Sequence, residues 1–142
     1  MSTQRSVLNK TSMIEVIIPA SPTGTTFNIP DQPLLRTKKT LSLEVYSADD
    51  CTKSPSTNGV ISTAILKSSY LTLYFSNGQF IQNIPFTRLH PINNGAVGNA
   101  FVYDVPELNG QEIDWSKSTI QYTGGSFGAS QLSYLINVNY SD

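Results

Sequence analysis

One histidine and one cysteine are all the chain offers to nucleophilic or metal chemistry. His90 lies in Leu89-His90-Pro91, in a loop just after a β-rich run, and Cys51 follows Asp49-Asp50 in a polar stretch. A catalytic triad needs its histidine bonded to a nucleophile and oriented by an acid, and the residues around His90 supply neither. A zinc site needs a full set of Cys and His ligands, or nearly a set with a water, which this composition excludes. His90 is therefore read as a surface or hydrogen-bonded loop residue. Asp49 and Asp50 could lend oxygens to calcium, but that ion takes about six to eight, and no loop of Asp, Asn and Gly at the required spacing provides them. Asp104 and Glu107 flank Val105-Pro106 and could be imagined as a glycosidase pair. The separation of two carboxylates is what gives such a pair meaning, and strand-end acids of this kind usually face solvent. Gly124-Gly125-Ser126-Phe127-Gly128 lacks both the Lys-Ser/Thr ending of a phosphate-binding loop and a helix to follow it, so it reads as a flexible turn. No catalytic residue, cofactor or metal is expected, and the chain is read as a non-enzyme.

The elements that would hold any site are strands. Tyr70–Pro85 contains two β-rich runs around Asn77-Gly78, a strong hairpin signal because a two-residue type I′ turn needs positive φ at both central positions. That register pairs Phe75 with Phe80, Leu73 with Gln82 and Leu71 with Ile84 on an apolar face, leaving Thr72, Tyr74, Ile81 and Asn83 on the other. Pro85, with no amide donor, ends the ladder. Further strands are expected at Met13–Ile18, Thr25–Ile29 (a short edge), Leu41–Tyr46, Val60–Leu66 (where Ile61, Thr63 and Ile65 favour a strand over the alternative of a single helical turn), Phe101–Val105 and Ser118–Thr123. In Leu41–Tyr46 the alternation turns Leu41, Leu43 and Val45 inward. The last run, Leu132–Tyr140, is the longest period-two segment and is expected to be a central strand, since a long apolar edge invites aggregation. Residues 47–59 and 86–98 read as loops, the second with an Asn93-Asn94-Gly95 turn. Asn109-Gly110 signals another turn, with Gln111–Trp115 a weak strand candidate.

At 142 residues the chain fits one domain, a size that buries roughly 68–70% of its unfolded surface. About eight strands and almost no helix imply an all-β fold: a two-sheet antiparallel sandwich, an eight-stranded jelly roll or a related Greek key. Residues 1–12 read as an extended N-terminal arm and 13–142 as the sandwich domain. Charged residues make up only 13% of the chain, about half the usual share, with Ser, Thr, Asn and Gln in their place. The basic residues are too few and too dispersed for a nucleic-acid footprint. The polar N-terminus does not read as a signal peptide, no apolar run reaches membrane-spanning length, and a single cysteine excludes an intrachain disulfide. Strand aromatics such as Tyr70, Tyr74, Tyr122, Tyr134 and Tyr140 read as core or subunit contacts. Trp115, in a loop, is the one tryptophan a sugar platform could use.

The polar arm Met1–Ser12, the strand count, the hairpin Leu71–Ile84 and the closing strand Leu132–Tyr140 together resemble the small all-β virion proteins of tailless icosahedral bacteriophages. In those, penton or minor capsid subunits are single jelly rolls. The resemblance implies a structural subunit that closes vertices or bridges neighbouring capsomers, located in the virion after assembly in the host cytoplasm. Its partners would be copies of itself or other capsid proteins, met through the arm (Gln4, Arg5, Val7, Leu8, Lys10) and the loops 47–59 and 86–98. The arm carries only Arg5 and Lys10 as basic residues, which argues against contact with the genome. The alternative is a stand-alone β-sandwich module that binds carbohydrate or a cell surface outside the cell. An exposed Trp115 or a tyrosine-lined groove would distinguish it.

Overall fold

The last strand, β8 (Leu132–Ser141), forms the axis of the first sheet. In the computed structural model, which describes residues 10–90 and 111–141, β8 pairs along one side with β1 (Lys10–Ile18) and along the other with β3 (Lys39–Tyr46). Where β3 ends, the short β4 (Gly59–Val60) continues that side in parallel with β8. The second sheet runs β2 (Thr26–Asn28), β7 (Thr119–Tyr122), β5 (Ser69–Tyr74), β6 (Phe80–Pro85). Every pair in both sheets except β4–β8 is antiparallel. Strand partners are therefore nested: β1 with β8, β2 with β7, and the β5–β6 hairpin innermost. A ribbon of nested antiparallel pairs rolled into two layers is the jelly-roll pattern. The far side of β3 is closed at both ends, by the Thr40 amide donating to the Gln111 carbonyl at 2.8 Å and the Val45 amide donating to the Leu89 carbonyl at 3.0 Å.

Between the layers, period-two alternation fills the core. Ile14, Val16 and Ile18 from β1 and Tyr134, Ile136 and Val138 from β8 face Leu71, Leu73 and Ile120 of the second sheet. Burying each such side chain contributes about 1.5–3 kcal/mol. Tyr134 is also the centre of an aromatic cluster, with Phe86 at 5.3 Å and Phe127 at 6.1 Å between ring centroids.

Several expectations need correction. At Val60–Leu66 the helical turn, the alternative to the favoured strand, is what forms: only Val60 is in a strand, β4, and Thr63–Lys67 make one helical turn, α1. The β-branched residues favoured a strand, but Ser62 caps the turn, its hydroxyl accepting from the Ile65 amide at 3.2 Å; within the turn Ile65 and Leu66 are buried, as is Ile61 just before the cap. β1 begins at Lys10 rather than Met13, because Lys10, Thr11 and Ser12 already pair with Tyr140, Asn139 and Val138. Leu41 is only half-buried, since a bulge between Thr40 and Ser42 takes it out of the alternation. The strand expected at Phe101–Val105 and the turns at Asn93-Asn94-Gly95 and Asn109-Gly110 lie outside the described residues. Of Gln111–Trp115, Gln111 and Ile113 form single bridges, to Thr40 and Phe75.

The hairpin turn also differs. Phe75, not Ser76, faces Gln79, its amide donating to the Gln79 carbonyl at 2.8 Å. Gly78 takes φ +90° and closes a three-residue loop with a bulge. This slip of one residue puts Phe80 outside and turns Ile81 inward, opposite Leu73. A second irregularity, at Asn83 with φ +58°, restores the register so that Ile84 meets Leu71 as expected. The two bulges cancel because each shift of one residue reverses the faces.

Candidate functional site

The charged chemistry of the first sheet gathers in the loop after β3. The Asp50 carboxylate accepts from the Ser47 amide at 2.9 Å and lies 2.7 Å from Nε2 of His90. His90 is sealed from solvent, with 2% of its surface exposed, so a substrate has no access to its ring. It is hydrogen-bonded, as expected, but not at the surface. Burial and then the negative charge of Asp50 push the neighbouring Cys51 thiol up, which keeps it protonated and a poor nucleophile at neutral pH. Asp49 accepts from the Thr63 hydroxyl. This arrangement braces loop 47–59 against α1 and the turn that follows β6. Among the described residues no group of three or more His, Cys, Asp or Glu could hold a metal.

The same loop lies over the outer face of the first sheet. Between them runs an open, mostly apolar groove of about 460 Å³, lined by Met13, Tyr46, Cys51, Lys53, Pro55 and Leu135. Glu15, on the same face of β1, accepts from Ser56 at 2.6 Å and Ser133 at 2.7 Å. Burial pushes its carboxyl up, but the hydroxyl and amide donors of Ser54, Ser56, Ser133 and Asn58 more than offset this and leave it below the ordinary carboxylate value. Burial, followed by the hydrogen bond to Glu44, holds the Tyr46 phenol well above its usual range. Met13 and Ile17 remain 39% and 47% exposed on this face.

The outer face of the second sheet has a different character. Its four strands contain no Asp, Glu, Lys or Arg. Tyr74 stacks on Phe80 with ring centroids 5.0 Å apart, and Phe80 is 49% exposed. Further along, Tyr70, Asn83, Gln121 and Thr123 line a depression of about 290 Å³.

Of the assembly residues expected from sequence, Lys10 opens β1 opposite Tyr140; Gln4, Arg5, Val7 and Leu8 lie outside the described residues, as do Asp104, Glu107 and most of loop 86–98. Trp115 forms a 3₁₀ turn with Ser116 and Lys117 and is 1% exposed, so it cannot serve as a sugar platform. The Gly124–Gly128 loop is anchored rather than free: Phe127 is buried against Phe27, Tyr122 and Tyr134, and the Tyr122 hydroxyl donates to the Ser126 carbonyl at 3.0 Å. The Asp50–His90 pair escaped sequence reasoning because forty residues separate its members. The aromatic and amide face was partly visible as the alternation Tyr70-Thr72-Tyr74. The chain matches no protein-family model, no curated protein sequence and no solved structure.

Proposed function

We propose that the chain is a structural virion subunit that assembles with copies of itself or with other capsid proteins, at or near the vertices of an icosahedral shell. The observation that carries this reading is the nested strand order, β1-β8-β3 over β2-β7-β5-β6, an architecture that serves capsid proteins well because its two rigid layers leave loops and edges free to touch neighbours. The low charge and the exposed Met13 and Ile17 on the outer face of β1 support it further. In this reading the arm residues Gln4, Arg5, Val7 and Leu8, together with Lys10, and loops 47–59 and 86–98 make the contacts. Function is passive: many modest contacts hold the wedge in place, and no substrate is turned over. Nucleic acid is not a partner, and no helix among the described residues is long and apolar enough to cross a membrane.

Deleting residues 1–9 tests the reading. The cut stops short of Lys10, whose pairing with Tyr140 belongs to the sheet. The shortened chain is expected to fold, with an unchanged circular dichroism spectrum, and to fail to enter the assembly. A shortened chain that assembles as well as the intact one would remove the arm from the account.

A further inference from the structure

The outer face of the β2-β7-β5-β6 sheet is uncharged, aromatic and rich in amides, and these properties select a ligand class. We propose that this face binds a neutral oligosaccharide, with its principal subsite at Tyr70, Asn83 and Gln121. The inference does not rest on the assembly reading: a depression lined by Tyr70 is the feature expected of the carbohydrate-binding alternative, though a shell subunit can carry such a face as well.

The geometry supplies each part of a sugar site. Tyr70 stands on β5, the middle strand of the three, with Gln121 directly beside it on β7 and Asn83 on β6. Tyr70 thus lines one depression together with two carboxamides, Gln121 from the strand on one side and Asn83 from the strand on the other, where Pro85 is its direct partner. A ring face stacks against the C–H face of a pyranose, and each carboxamide offers both a donor and an acceptor to neighbouring hydroxyls. The Asn83 and Gln121 carboxamides and the Tyr70 hydroxyl make no hydrogen bond with any described residue, whereas the nearby Thr123 hydroxyl is already committed to the Ser68 carbonyl at 3.0 Å. Asn83 holds φ +58° at the bulge in β6, an unusual backbone state of the kind that re-aims a side chain beside a site. The depression of about 290 Å³ is just below the range for pockets that take drug-sized ligands, about 300–1,000 Å³, a size suited to one sugar ring.

The stacked Tyr74–Phe80 pair extends the surface. Tyr74 lies four residues beyond Tyr70 on the same face of β5, about 13 Å along a strand, a span that a short oligosaccharide would fill and a monosaccharide would not. The missing charges decide against other occupants. With no Lys or Arg in these strands, a phosphate backbone or an acidic glycan finds no counter-charge, and with no Asp or Glu a cationic ligand finds none either.

The test uses the intact chain, isotopically labelled, titrated to millimolar concentration with neutral gluco-, manno-, xylo- and N-acetylglucosamine oligosaccharides and followed by amide chemical shifts. At least one series should move the resonances of Tyr70, Asn83 and Gln121, with affinity rising from the monosaccharide to the oligomer. Asn83→Gly keeps the backbone geometry and removes the carboxamide, and Gln121→Ala alters an exposed position. Each should weaken binding about tenfold, the weight of one lost hydrogen bond, with the melting temperature little changed. Silence from every series, shifts confined to another surface, or variants that bind as tightly as the parent would each overturn the proposal.

Discussion

Ser69 on β5 and Tyr134 on β8, 65 residues apart in sequence, meet through a buried hydroxyl–hydroxyl contact of 2.7 Å that ties one sheet to the other. The Ser69 proton is already donated to the Ile65 carbonyl at 2.7 Å, so the Tyr134 phenol is the donor across the gap. The bond also fixes α1 to the interior, since Ile65 belongs to that turn.

This asymmetry makes the two truncations unequal. Tyr134→Phe leaves Ser69 bonded to Ile65 and should cost about 1 kcal/mol. Ser69→Ala strands the Tyr134 phenol in the core, while the Ile65 carbonyl keeps the Ser68 amide at 3.0 Å, and should cost about 2 kcal/mol. Urea unfolding of the two variants checks the order; a Tyr134→Phe variant as unstable as Ser69→Ala would show that the donor is assigned the wrong way round.

Glu15 should make stability sensitive to acid. Its carboxyl lies below the ordinary 4.5 because the donors of Ser54, Ser56, Ser133 and Asn58 outweigh the opposing effect of burial. A depressed folded value means the stabilisation is present above the unfolded pKa and lost as pH falls through the lower folded value. As pH falls from the ordinary carboxylate value through the lower folded one, the parent should therefore lose more stability than Glu15→Gln. Parallel pH profiles for the two would contradict this.

The hairpin bulges give a backbone prediction. Gly78 sits at φ +90°, so Gly78→Ala should cost about 1 kcal/mol. At Asn83, φ +58°, glycine should be nearly neutral, whereas valine, β-branched and intolerant of that region, should cost about 1–2 kcal/mol. Thermal melts of the three variants decide the point, and equal effects of glycine and valine at position 83 would mean the bulge is not retained.

Cys51 should behave as a slow thiol. Burial and the Asp50 charge both raise its pKa, so its reaction with a disulfide reagent at neutral pH should lag behind that of free cysteine and accelerate as pH rises. Asp50→Asn should speed it. A rate matching or exceeding free cysteine at neutral pH would revive a nucleophilic role for loop 47–59.

These features differ in how far the sequence exposed them. Period-two alternation marked Leu132–Tyr140 as central, because alternation records which face is buried and a long apolar strand needs neighbours on both sides, whereas Thr25–Ile29 read as an edge because it is short. The α1 turn was obscured because Ile61, Thr63 and Ile65 are β-branched and follow strand spacing, and the deciding Ser62 cap is one hydroxyl. Asn77-Gly78 located the hairpin but not its loop length. A two- or three-residue loop uses the same residues, and only the compensating bulge at Asn83 reveals which was chosen. The Asp50–His90 and Glu15–Ser133 contacts join segments far apart in the chain, and no local pattern encodes them.

The most direct test of the central claim is the native mass of the species that carries this chain, measured in an extract of the cells that make it and again after purification. The account predicts a discrete assembly well above the 15.5 kDa of a single chain, present at least in the extract. A lone 15.5 kDa species under both conditions would contradict it.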